Sequence, residues 1–186
     1  MPNNYHLKLD IKITKLANFI DQGSDEKLFI RYYIHAFGGN RRIQVDTREI
    51  QSRNSVMWNE CASFQCHANL DQIQQLELSH ITFELRSRKT RQIFGGIMTR
   101  SRLLGGGEIS WKDVMDSKGM KLEKWINFTA KDRKFDGLKL PNLLVETKVD
   151  VTRDVDTNGM RKCGSSKKCD WVDSSVDMYH VETLID

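Results

Sequence analysis

"YHLKLDIKITKL", Tyr5–Leu16, alternates cleanly: Leu7, Leu9, Ile11 and Ile13 fall on one side, Lys8, Asp10 and Lys12 on the other. A period of two is that of a strand with one face on a core and the other in water. The chain beyond it reads the same way. "DQGSDE" (21–26) is a turn cluster. "KLFIRYYIHAF" (27–37), rich in aromatic and β-branched residues, is a central strand. After the turn at Gly38-Gly39-Asn40 comes "RRIQVDTREI" (41–50), with Ile43 and Val45 alternating against polar neighbours. "WNECASFQCH" (58–67) is a strand anchored by Trp58, Cys61 and Phe64. "LDQIQQLELS" (70–79) fits both helix period and strand alternation and is read as a connection into the next strand.

"HITFELRS" (80–87) points Ile81, Phe83 and Leu85 inward. "LLGGGEISW" (103–111) is a strand that begins in glycines, and "WKDVMDS" (111–117) is one helical turn. "KLEKWINF" (121–128) and "PNLLVETKVDV" (141–151), the latter with Leu144 and Val149 among its apolar positions, close the series. Eight strands joined by evenly spaced turn clusters argue for an all-β, antiparallel β-sandwich rather than an α/β sheet. This domain covers residues 1–151. The remainder, 152–186, lacks apolar periodicity and is rich in Asp, Ser and Lys. It buries too little surface to offset the entropy of ordering, so it is expected to be a mostly disordered polar tail.

With 186 residues and a net charge of +4, the distribution of charge says more than its sum. No apolar run reaches the ~18–20 residues of a membrane span. The N-terminus lacks the apolar core of a secretory signal and a Gly at position 2 for myristoylation. A cytoplasmic protein is expected. Cys61 and Cys66 share a strand at odd spacing, hence opposite faces, and Cys163 and Cys169 lie in the tail; there is no CxxC pair. The five histidines are scattered, with no HxxxH, HExxH, GxSxG or P-loop. No enzyme, cofactor or metal is therefore expected.

Three passages carry a family likeness. "LKLDIKITKLANF" (Leu7–Phe19) followed by "GSDEKLFIRY" resembles the first two strands of a C2 domain and the calcium loop between them. "NSVMWNECASFQC" is similar to that family's "LNPxWNExFxF", with Trp58, Asn59, Glu60 and Phe64 in place. "ITFELRSRK" followed by "LLGGGEISWKDV" resembles "LxFxVxDxD…(I/L)GxxxIxL". The resemblance covers residues 5–151 and implies a calcium- and lipid-binding sandwich fold. The layout, one such domain with a short tail, is similar to the small stand-alone C2 proteins common in plants, which are often linked to stress or defence signalling.

The departure from the family decides the functional expectation. Asp21 and Asp25 remain on the first loop, where turn chemistry accounts for them better than a ligand set does. On the third loop, however, the family's Asp-x-Asp positions hold Ser87 and Lys89, flanked by Arg86 and Arg88. Calcium needs 6–8 oxygen ligands, mostly carboxylates, and a cluster of cations repels it. The resemblance is thus to the calcium-independent branch. The passage carries Arg86, Arg88, Lys89, Arg91, Arg100 and Arg102 with no acid between them, and Ile93, Phe94, Ile97 and Met98 around Gly95-Gly96. Cationic side chains near an anionic leaflet are worth on the order of 1 kcal/mol each, and apolar insertion adds a second signal. These ten residues are the expected lipid-binding site of a peripheral protein at the plasma membrane. Arg41, Arg42 and Arg48 form a second basic patch suited to phosphate. A protein-interaction module of the same fold, with the basic loop contacting an acidic partner, is the other reading. Only Phe94 interleaves the loop charges, so nucleic acid is not expected, and the protein is read as a monomer.

Overall fold

A computed structural model describes residues 4–19, 26–35, 42–51, 56–93, 96–130, 141–153, 172–173 and 181–184; at 90–93, 96–99, 130, 172–173 and 181–184 it describes the backbone. The alternation that opens the chain becomes β1 (Asn4–Ala17), whose Leu7, Leu9, Ile11 and Ile13 are buried. A bulge between Ile13 and Lys15 then resets the phase, so that Leu16 also turns inward. The strands that follow are β2 (Lys27–His35), β3 (Arg42–Asp46), β4 (Ile50–Gln51), β5 (Val56–Asn69), β6 (His80–Ile93), β7 (Gly96–Ser110), β8 (Lys121–Asn127), β9 (Thr129–Ala130), β10 (Asn142–Arg153), β11 (Val172–Asp173) and β12 (Val181–Leu184).

They form two antiparallel sheets. One runs β11-β5-β1-β10-β8; the other runs β12-β3-β2-β6-β7-β9, with β4 also on β2. The all-β sandwich expected from the alternation is what forms, and its eight long strands are the eight read from sequence. Four short strands of two to four residues extend the sheets. The core lies between the sheets: Trp58, Phe64, Phe83, Trp111 and Phe128 sit among the aliphatic faces of β1, β2, β6 and β10. Cys66 is buried and Cys61 exposed, opposite faces as expected; Cys61 is therefore not a core anchor, Ala62 filling that place.

Several details refine the sequence reading. Residues 70–77 are a helix, α1 (Leu70–Glu77), fixed at its start by a capping box between Asn69 and Gln72. "WKDVM" is the expected turn, α2 (Trp111–Met115). Leu144, although buried, is paired with Trp125 and faces away from the sequence of inward residues Leu143, Val145 and Val149. Residues 152–186 lie mostly outside the described residues, but β11 and β12 belong to this stretch and pair with β5 and β3.

Gly105 and Gly107 act through close approach. A Cβ on Gly107 would stand 2.4 Å from Ile126 Cγ2, and one on Gly105 would stand 3.0 Å from the Thr129 carbonyl oxygen. Here β8 crosses from one sheet to meet β7 of the other through Phe128 and β9.

Candidate functional site: the β6–β7 arm

The passage read as a basic loop is a β-hairpin. Pairing between β6 and β7 continues from His80↔Ser110 to Ile93↔Gly96, with one irregularity at Leu85/Arg86. On its other edge β6 pairs with β2 only as far as Lys27↔Arg88. The five residues after Arg88 therefore belong to a two-stranded ribbon, about 17 Å long at ~3.3–3.4 Å per residue. The polar run can remain a strand because each residue gains a cross-strand partner, which strand alternation within one segment does not reveal.

Register sorts the basic residues onto two faces. Arg86 and Arg88 lie on the outer face of the sheet, and Ser87, Lys89 and Arg91 occupy alternate positions on the other, paired with Arg102, Arg100 and Met98. Ser87, at a position where the C2 resemblance has an aspartate, is buried.

The outer-face cations are already engaged. Arg86 Nη1 donates to Glu84 Oε2 at 2.7 Å and Nη2 to Ser101 Oγ at 3.2 Å. Arg88 pairs with Glu49 and lies over the Phe29 ring, 4.8 Å from its centroid. Arg31 covers the same ring from 5.7 Å and is held by both carboxylate oxygens of Asp46 at 2.7 Å. That hydrogen bonding raises the Arg31 pKa, against the cost of its burial. Phe29, on an outer face, is thereby only 1% exposed. These arginines form a lattice of guanidinium stems and carboxylates that shields an aromatic ring. On the other face Arg102 reaches Glu26 at 3.4 Å.

Lys89 and Arg100 are different. They are directly opposite each other in the ladder, both exposed, and neither has a carboxylate partner among the described residues. Like charges directly opposite destabilise a strand pair. The side chains of Arg91, Ile93, Ile97 and Met98 lie outside the described residues, as does Phe94 entirely; 93 and 96 are the last paired positions before the tip.

The second basic patch is divided. Arg41 is outside the described residues. Arg42, on β3, lies over Tyr33 at 4.6 Å from its centroid. Arg48 follows the end of β3, so strand spacing does not place it with Arg42; it belongs to the "WNE" segment instead. Its Nη2 donates to the Trp58 carbonyl at 2.8 Å, its backbone N–H to Glu60 Oε2 at 3.2 Å, and Trp58 Nε1 donates back to the Arg48 carbonyl at 3.0 Å. Asn59 between them has φ of 51°, a left-handed conformation that Asn tolerates. Burial pushes the Glu60 carboxyl pKa up, opposed by Arg48. The motif thus braces the start of β5 against the β3–β4 connection, at the end of the sandwich from which the arm extends.

Asp21 and Asp25 lie outside the described residues. Among the described residues, no group of three His, Cys, Asp or Glu is placed to hold a metal ion, and no helix is long and apolar enough to cross a membrane. A groove of 510 Å³, lined by Glu84, Gly106, Glu108, Trp125 and Asn127 among others, follows the line where β7 and β8 diverge.

No family model matches the chain, and no curated protein matches it in sequence. Among solved structures it is similar to the one described as "CC2D1B coordinates ESRCT-III activity during the mitotic reformation of the nuclear envelope", with a TM-score of 0.53 and 15% identity. That alignment covers 76% of this chain and 54% of the other, so the chain spans about half of its neighbour. Human GIVD cytosolic phospholipase A2, in complex with methyl gamma-linolenyl fluorophosphonate, aligns over 77% of this chain and 17% of its own, with a TM-score of 0.45 and 14% identity, too slight to carry an argument. At such identity the first likeness shows the fold: a β-sandwich like that of a C2-domain-containing protein.

Proposed function

We propose that the chain is a C2-like docking module whose β6–β7 arm meets an anionic phospholipid surface without calcium. The observation that carries this reading is the Lys89–Arg100 pair. Two cations set opposite each other, exposed and without carboxylates among the described residues, cost stability where they stand. That cost is returned when an external anion lies against both. Arg91 holds the next position on the same face, and Ile93, Phe94, Ile97 and Met98 are the apolar residues nearest the tip in sequence. Charge and apolar insertion together give useful membrane affinity where either alone is marginal. Arg86 and Arg88, held by Glu84 and Glu49, with Arg88 also lying over Phe29, contribute little to the contact.

Co-sedimentation with phosphatidylcholine vesicles, with and without phosphatidylserine, tests this. Binding is expected only to the anionic vesicles, to survive chelation of calcium and to weaken with salt. Lys89→Glu/Arg100→Glu should remove it while leaving the melting temperature about unchanged, because one like-charge pair replaces another. Anionic vesicles that bind no better than neutral ones would end the membrane reading and direct the cation pair to an acidic protein partner.

A further inference from the structure

Both sheets end, on one side of the sandwich, at a strand covered by the C-terminal stretch: Val172–Asp173 lies on β5 and Val181–Leu184 on β3. On the other side β8 has no further strand on its outer edge among the described residues. That edge carries Lys121, Glu123 and Lys124 within seven residues, charges of the kind that protect a sheet edge from unwanted pairing. The edge strand β3 lacks this protection at its centre. Ile43, Gln44 and Val45 are all buried, and what covers their backbone is the chain's own C-terminal segment.

We propose that the outer edge of β3 is a docking site for an extended segment of a partner protein, and that Val181–Leu184 occupies the site when the partner is absent. The register defines the partner's chemistry. Positions 181 and 183 pair with Val45 and Ile43, which face the core, so the segment carries β-branched or apolar residues there. Positions 182 and 184 pair with Gln44 and Arg42 on the outer face. Arg42 is stacked on Tyr33, its Nε is buried without a hydrogen-bond partner, and no carboxylate pairs with it among the described residues. Neighbouring Arg31, by contrast, is fully held by Asp46. An acidic residue at the 182 position, diagonal to Arg42 across the ladder, is what this edge selects.

The occupant is built to be displaced. Its four residues are fewer than an ordinary strand, and 27 residues separate it from the end of β10. Covalent attachment holds it at an effective concentration of millimolar order, so a weak strand suffices within the chain, and a longer partner strand with the same pattern outcompetes it.

The test uses the full chain and a labelled peptide of its own residues 178–186, MYHVETLID. Adjacent residues of a strand direct their N–H groups to opposite neighbours, so Glu182→Pro/Thr183→Pro removes at least one donor to β3 whichever residue supplies it. Fluorescence anisotropy should show this variant binding the peptide at least about tenfold more tightly than the wild type, because the internal competitor is gone. Adding Arg42→Glu should lower that affinity again. In hydrogen exchange, β3 amides should open in the double-proline variant and regain protection with peptide. Equal peptide binding by both chains, opened β3 amides without peptide binding, or β3 amides equally protected in both chains would each overturn the proposal. A wild-type dimer in light scattering that the prolines dissolve would also overturn it, assigning the edge to a second copy.

Discussion

Gly107→Ala is the sharpest probe of how the two sheets meet. The added methyl would stand 2.4 Å from Ile126 Cγ2, with the Asn127 carbonyl oxygen and Phe128 Cδ1 each at 3.4 Å. Carbon atoms pack at about 3.5–4.0 Å, so Ile126 or β7 must move by about 1 Å or more. Ile126 is 3% exposed and lies within the core, where overpacking costs typically about 1–3 kcal/mol. For a chain of this size that lowers the melting temperature by roughly 2–12 °C. Gly106→Ala is the matched control: its methyl meets only the Phe83 carbonyl oxygen at 3.4 Å, an ordinary contact. Its expected change is within about 0.5 kcal/mol, because loss of unfolded-state freedom works in its favour. Ile126→Ala alone should cost about 2–5 kcal/mol for the cavity it leaves. With Gly107→Ala the two changes should compensate, the new methyl entering the space that Cγ2 vacates. Urea denaturation of the four proteins gives the coupling directly. Additivity within about 0.3–0.5 kcal/mol, or equal losses at 106 and 107, would refute the close-approach account.

Two other perturbations follow from the end of the sandwich nearest the arm. Thr47 Oγ1 accepts from the buried Ile30 N–H at 3.0 Å, so the near-isosteric Thr47→Val leaves that donor unsatisfied and should cost about 1–3 kcal/mol in denaturant titration; no loss would mean that water replaces the hydroxyl. The Glu60 carboxyl is raised above its ordinary 4.5, chiefly by burial. A carboxyl group with a raised folded-state pKa binds protons more tightly folded than unfolded, so its contribution to stability falls as pH rises from that ordinary value through the folded one. The stability of Glu60→Gln relative to wild type should therefore improve between pH 4 and pH 7, and a gap that is flat or widens in favour of Glu contradicts this.

Much of the fold was legible because a period of two survives wherever one face of a strand meets the core. Leu7, Leu9, Ile11, Ile13, Ile81, Phe83 and Leu85 all turn inward as their spacing dictates. The helix at 70–77 was missed because its apolar residues fit two periods; the Asn69–Gln72 capping pair was the signal that separates them. The "WNE" segment was legible as a motif, but its work, a brace between Trp58, Arg48 and Glu60, depends on residues ten or more positions apart.

The amino-acid sequence by itself determined which residues are apolar, where turn clusters fall, and that six basic residues lie from Arg86 to Arg102 with no acid among them. Hydrophobic alternation is a local property and needs no partner to be read. Only the tertiary structure decided what each charge does. Ion pairing and cross-strand register join residues distant in the chain: Arg88 to Glu49, Arg102 to Glu26, Lys89 to Arg100. Five cations that look equivalent in sequence thus separate into Arg86, Arg88 and Arg102, each paired with a carboxylate of the sandwich and Arg88 lying over Phe29, and Lys89 and Arg100, an exposed pair set against each other on the arm, because a charge's role is fixed by what stands within a few ångströms of it.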